Sequence, residues 1–108
     1  MTHETFNNLL DIEYQKIMKI MNMKNQEYAR GGDKLSNFKT ASGFRHKEPE
    51  TMCFEYCSKH LVSLSDMIND LEADIHRPLE LWAEKITDAV NYLFLLKALL
   101  HERYNGAD

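Results

Sequence analysis

Asp66, Asp70, Glu84 and Asp88 carry the clearest chemical signal in the sequence. Asp66 and Asp70 stand four residues apart, as do Glu84 and Asp88, so each pair shares one face of a helix. Between the pairs lies Arg77-Pro78, where one helix must stop and another can start. Two helices joined by so short a connection pack antiparallel. A turn centred near Arg77 sets Asp66 level with Asp88 and Asp70 level with Glu84, so the four acids are expected to converge. Carboxylates crowded into a partly desolvated site repel one another, and a divalent cation relieves that repulsion. Oxygen-only ligands favour Mg²⁺, Mn²⁺ or Ca²⁺ over zinc, and Mg²⁺ joins carboxylates to substrate phosphates. The expectation is a magnesium site on Asp66, Asp70, Glu84 and Asp88, with Asp66, Glu84 and Asp88 as catalytic acids that orient a water. The plainer alternative is a set of solvated surface acids. Asp88 fits that alternative poorly, because it interrupts the apolar stripe Leu81, Tyr92, Leu95 and Leu99.

Charge is segregated around these acids. Residues 66–88 hold seven acids and two bases (Arg77 and Lys85). Residues 30–49 hold five bases (Arg30, Lys34, Lys39, Arg45, Lys47) against Asp33 and Glu48. Carboxylates that hold a metal, beside a basic loop that holds phosphate, suit a phosphorylated substrate. Lys24, Arg30, Lys34 and Lys59 are the expected phosphate contacts. Asn91, one turn after Asp88, and Tyr92 complete the polar surroundings, and Tyr28, Phe38 or Tyr92 could stack on a base. His60 reads as a packing histidine.

These residues need helices to place them. The chain has 108 residues, 44% of them apolar, only four glycines and two prolines, and a formal net charge of −4. That fits one all-α domain, residues 1–108, and argues against a duplex nucleic-acid binder, which needs a basic face. No apolar run approaches the roughly 20 residues of a membrane span, and the polar start reads as no secretory signal, so a cytoplasmic protein is expected. Three long helices are predicted over about 5–29, 50–75 and 78–104, forming an antiparallel bundle. The 30–49 loop between the first two carries short helical turns. Apolar stripes run through Phe6, Leu10, Tyr14, Ile17, Met21 and Tyr28; through Cys57, Leu61, Leu64, Ile68, Leu71 and Ile75; and through Trp82, Ile86, Ala89, Leu93, Leu96 and Leu100. Gly31-Gly32 ends the first helix, and Asp33 starts a turn carrying Leu35 and Phe38. Cys53 and Cys57, four apart, read as core thiols. Further apolar residues lie off these stripes, more than one chain can hide, so self-association is expected.

Two blocks, Lys24-Asn25-Gln26-Glu27-Tyr28-Ala29-Arg30-Gly31-Gly32-Asp33 with Leu35 and Asn37-Phe38, and Glu84-Lys85-Ile86-Thr87-Asp88-Ala89-Val90-Asn91-Tyr92-Leu93, resemble blocks of small bacteriophage proteins. This group resembles a branch of the all-alpha NTP pyrophosphohydrolase superfamily, which includes MazG and the dimeric dUTPases. The stretch from Lys59-His60 to Asp66-Met67 also fits. The resemblance implies a helical fold, a homodimer or homotetramer, and Mg²⁺-dependent cleavage of a nucleoside triphosphate. It adds Asn37 to the expected substrate contacts, and places the protein in the cytoplasm of an infected bacterium. The family's paired-glutamate motif is missing: Glu55 has no glutamate neighbour, and Lys85 stands where the second motif would begin.

Three functions follow. The first is a metal-dependent nucleotide pyrophosphohydrolase. The second is a non-catalytic phage protein that sequesters a host defence signal nucleotide. The third is a helical oligomeric interaction protein without a small ligand.

Overall fold

A computed structural model describes residues 1–28 and 32–106, with Glu27 and Tyr28 described in their backbone only. Among these residues there are four helices and no strand: α1 His3–Tyr28, α2 Ser36–Arg45, α3 Pro49–Glu72 and α4 Leu79–Asn105. The all-helical expectation holds. No helix among the described residues is long and apolar enough to cross a membrane.

The breaks come from local chemistry. Gly32 takes the left-handed conformation (φ 78°), which costs a glycine nothing. The Asp33 carboxylate accepts from the Leu35 N–H at 2.9 Å, and the Asp33 carbonyl from the Ser36 N–H at 3.2 Å. The turn expected at Asp33 therefore launches a helix of ten residues, longer than a turn. His46, with φ 52°, closes it.

The second long helix stops at Glu72 rather than Ile75. The Asp74 N–H donates to the Leu71 carbonyl at 3.0 Å and the Ile75 N–H to the Asp70 carbonyl at 2.8 Å. This is a Schellman closure with Asp74, φ 62°, in the left-handed position. The Arg77 guanidinium folds back to Asp70 at 2.7 Å. Pro78, extended at ψ 147°, then precedes the first residue of α4.

α3 and α4 form the antiparallel hairpin that was expected, but in a different register. The Cys53 thiol donates to the Tyr92 carbonyl at 3.4 Å and the Cys57 thiol to the Ala89 carbonyl at 3.9 Å. Small side chains let the two backbones approach there, and the contact fixes His60, not Asp66, beside Asp88. The core is Leu35, Phe38, Cys53 and Leu99, with Tyr56, Tyr92, Leu95 and Leu96 packed around it. Both cysteines are free and buried, as their placement on one helix suggested.

The regular apolar stripes of α3 and α4 enter the interior only in part, at Cys57, Ala89 and Leu96. Met52 and Met67 on α3 and Leu99 on α4 are buried, whereas Leu61, Ile68, Leu71, Ile86, Leu93 and Leu100 are exposed. α1 runs alongside α4 in the same direction, joined to it by Lys24 and Asn25 near its C-terminal end. Residues 3–12 of α1 are exposed throughout. The compact three-helix bundle is thus not closed within one chain.

Candidate functional site

All four helices meet around a cavity of ≈190 Å³. α1 contributes Asn25, and the turn before α2 contributes Lys34. α2 adds Asn37 and Phe38, α3 adds Tyr56, and α4 adds Asn91, Tyr92 and Leu95. The spacing explains the convergence. Asn91 and Leu95 stand four apart on α4 and share a face, while Asn37 and Phe38 open α2 just after the Asp33 turn.

Three rings form the apolar wall. Phe38, Tyr56 and Tyr92 lie with centroids 6.0 to 6.5 Å apart. Such tilted and edge-on contacts suit ring quadrupoles, and hold the rings in place without filling the cavity. His60 stacks on Tyr92 at 5.2 Å and 25°, which agrees with the packing role read for it.

The polar wall is anchored by two contacts between α1 and α4. The Asn25 carboxamide donates to Asn91 Oδ1 at 3.0 Å, and Asn91 donates back at 3.3 Å. One turn earlier on α4, the Asp88 carboxylate is buried and accepts from the Lys24 ammonium. His60 Nδ1 lies 3.7 Å from its other oxygen. The aspartate inside an apolar stripe therefore has its partner, and that partner is a lysine.

The expected acidic cluster does not assemble within the chain. Asp66 faces solvent, and Asp70 is engaged by Arg77. Glu84 and Asp88 line a separate cleft of ≈440 Å³ between α1 and α4, with Glu13 and Glu80. Among the described residues no three His, Cys, Asp or Glu side chains are gathered as metal ligands. The physical reason is the register: the cysteine contacts slide α3 along α4 so that Asp66 and Asp70 pass beyond Asp88 and Glu84. The residues of one chain thus do not fit the magnesium site expected on Asp66, Asp70, Glu84 and Asp88.

The substrate residues fare better. Lys34, Asn37, Asn91 and Tyr92 all line the cavity. Lys24 borders the neighbouring cleft with its charge committed to Asp88. Lys59 lies 5.8 Å from the Tyr56 ring centroid, over its face. The Tyr28 side chain and Arg30 lie outside the described residues. Asn25, Tyr56 and Leu95 were missed. A signal existed for Tyr56, which precedes Lys59 and His60 by three and four residues and so shares their face. Asn25 adjoins Lys24 within the first quoted block, but no spacing rule singles it out.

Away from the cavity, two ion-pair clamps hold the frame. Lys39 bridges Asp33 and Glu102, each at 2.7 Å. Arg103 grips Glu48 and Glu50, with Nη2 at 3.0 Å from Glu50 Oε1. The hydrogen bond from Lys39 holds the Asp33 carboxyl below the usual carboxylate range, and that from Arg103 does the same for Glu50.

Compared with known proteins, the chain matches no family model, no curated protein and no solved structure. The likeness to the all-alpha pyrophosphohydrolases rests on the quoted sequence blocks alone.

Proposed function

We propose that the protein binds a nucleotide, or a related phosphorylated small molecule with an aromatic ring, in the four-helix cavity. The observation that carries this is the lining itself: Phe38, Tyr56 and Tyr92 on one side, Asn25, Asn37 and Asn91 on the other, and Lys34 at the edge. Aromatic faces accept any base by stacking, carboxamides read its donor and acceptor edge, and a lysine attracts phosphate. At ≈190 Å³ the cavity falls below the roughly 300–1,000 Å³ of pockets that swallow a whole small ligand. It takes the ring, and the phosphates extend past Lys34. The Lys24 ammonium on the Asp88 carboxylate, where the expected metal would have been held, supports the sequestering role, in the cytoplasm of an infected bacterium, over turnover.

Titration calorimetry with ribo- and deoxynucleoside mono-, di- and triphosphates tests it. Binding should persist in EDTA. Tyr92→Ala should weaken it roughly tenfold or more, as loss of a stacking face does, and Lys34→Ala should weaken triphosphates more than monophosphates. No heat with any nucleotide overturns the reading.

The second reading is a Mg²⁺-dependent pyrophosphohydrolase. It is favoured only by the acidic lining of the cleft beside the cavity, Glu13, Glu80, Glu84 and Asp88, which one chain does not gather as metal ligands among the described residues. Pyrophosphate release that requires Mg²⁺ and is abolished in Glu84→Gln would establish it.

We also infer a homo-oligomer, a dimer or tetramer, as the working unit, because so many large apolar side chains are exposed on α1, α3 and α4.

A further inference from the structure

The outer side of the α3–α4 hairpin carries a repeat. Phe54, Leu61 and Ile68 on α3 are spaced by seven residues, and so are Leu79, Ile86, Leu93 and Leu100 on α4. A seven-residue step returns to nearly the same face of a helix. All seven side chains are exposed. α2 packs on the other side of the hairpin, through Phe38 and Tyr56, and α1 meets α4 through Asp88 and Asn91. This outer face is therefore left bare by both.

The two repeats are in step. Cys53 meets the Tyr92 carbonyl, Cys57 the Ala89 carbonyl, and His60 meets Asp88. In that antiparallel register Phe54 lies level with Leu93, Leu61 with Ile86, and Ile68 with Leu79. The result is three rungs of paired apolar residues two helical turns apart. Trp82, three residues from Leu79 and four from Ile86, falls on the same strip.

The amount of surface agrees. The accessible surface is 8154 Å², against about 6,200 Å² for a compact monomer of 12.7 kDa. The surplus of roughly 1,900 Å² exceeds the 800 Å² or so that each partner buries in a standard interface. The radius of gyration, 16.3 Å, likewise exceeds the 13 Å or so expected for this length.

We infer that the partner for this face is a second copy of the chain. Two α3–α4 hairpins pack their rungs together about a twofold axis and complete a four-helix bundle. A face of repeated rungs on two antiparallel helices is self-complementary, as a twofold interface requires. This rests on the oligomeric reading above and adds to it the face and the number of helices.

Light scattering on the full chain at micromolar concentration is the test, with Leu61→Glu and Ile86→Glu as face variants and Leu9→Glu, on the exposed part of α1, as control. The wild type should have the mass of at least two chains. Both face variants should lose that association while keeping their helical circular dichroism, and Leu9→Glu should keep it. Trp82, the sole tryptophan, gives a readout in the unaltered protein: its emission should shift to the red as dilution dissociates the assembly. A wild-type monomer overturns both this inference and the oligomeric reading. An oligomer that survives both face variants, or whose dissociation leaves Trp82 emission unchanged, overturns the face and leaves the oligomer standing.

Discussion

Asn25 on α1 and Asn91 on α4 exchange two side-chain hydrogen bonds, at 3.0 and 3.3 Å, although 66 positions separate them in the chain. Asn91 is buried, 5% exposed, so its amide has little access to water if Asn25 is lost. Asn25→Ala should therefore destabilise the fold by about 1–3 kcal/mol, the cost of a buried polar group left unpaired. Changing both residues together to Ala should cost less than the sum of the single changes. Urea denaturation of the two single variants and the double variant checks this. Additive losses would mean that the two amides are not coupled.

The Arg103 clamp gives the fold an acid limb. The guanidinium beside Glu50 holds that carboxyl below its ordinary value of 4.5. The Lys39 ammonium and the Leu35 N–H hold Asp33 below 3.8. A carboxyl whose pKa is lower in the folded chain binds protons more tightly when unfolded. Its stabilisation is present above the ordinary value and is lost as pH falls through the folded one. Thermal unfolding midpoints should therefore hold steady near neutrality and drop as the pH goes below about 4.5. Glu50→Gln should flatten the drop, and Arg103→Met should shrink it in the same way. An acid limb unchanged in both variants would remove the clamp as its cause.

The thiols should be silent in the folded protein. Burial pushes the Cys53 thiol up to about 12 and raises Cys57 as well, so the reactive thiolate is scarce at neutral pH. A colorimetric disulfide reagent at pH 8 should label neither cysteine in the native chain, and both in denaturant. Fast labelling of the native chain would contradict the tight α3–α4 contact.

Asp74 holds a left-handed backbone, φ 62°, at the end of α3. A side chain in that conformation costs roughly 1–2 kcal/mol that glycine does not incur, offset by glycine's greater freedom when unfolded. Asp74→Gly should raise stability by about 0.5–1 kcal/mol, read as a higher denaturation midpoint with an unchanged slope. A loss of stability would show that the Asp74–His76 pair at 2.7 Å outweighs the backbone strain.

Much of the local structure is legible in the sequence, because its causes lie within a few residues. Gly32 and Pro78 mark breaks through their own backbone limits, Asp33 starts α2 through its carboxylate, and the spacing of Cys53 and Cys57 keeps both thiols on one helix. Part of the cavity is legible too: Lys34 stands out in the basic loop, Asn91 and Tyr92 follow Asp88 on its apolar stripe, and Asn37 enters through the block that carries the family resemblance.

What only the tertiary structure decides is which face meets which, and at what height. A helix with two apolar stripes does not say which one its own chain will cover. Here Met52, Cys53 and Met67, off the regular stripe of α3, are buried together with Cys57, while Leu61, Ile68 and Leu71 of that stripe face out. The register is equally non-local. Cys53 and Cys57 are small enough to bring α3 against the backbone of α4, and that contact sets His60, rather than Asp66, beside Asp88, while α1 separately brings Lys24 to it. Helical periodicity fixes a residue's angle about its axis, but its height against a neighbouring helix is set by packing, and packing is settled only between the helices.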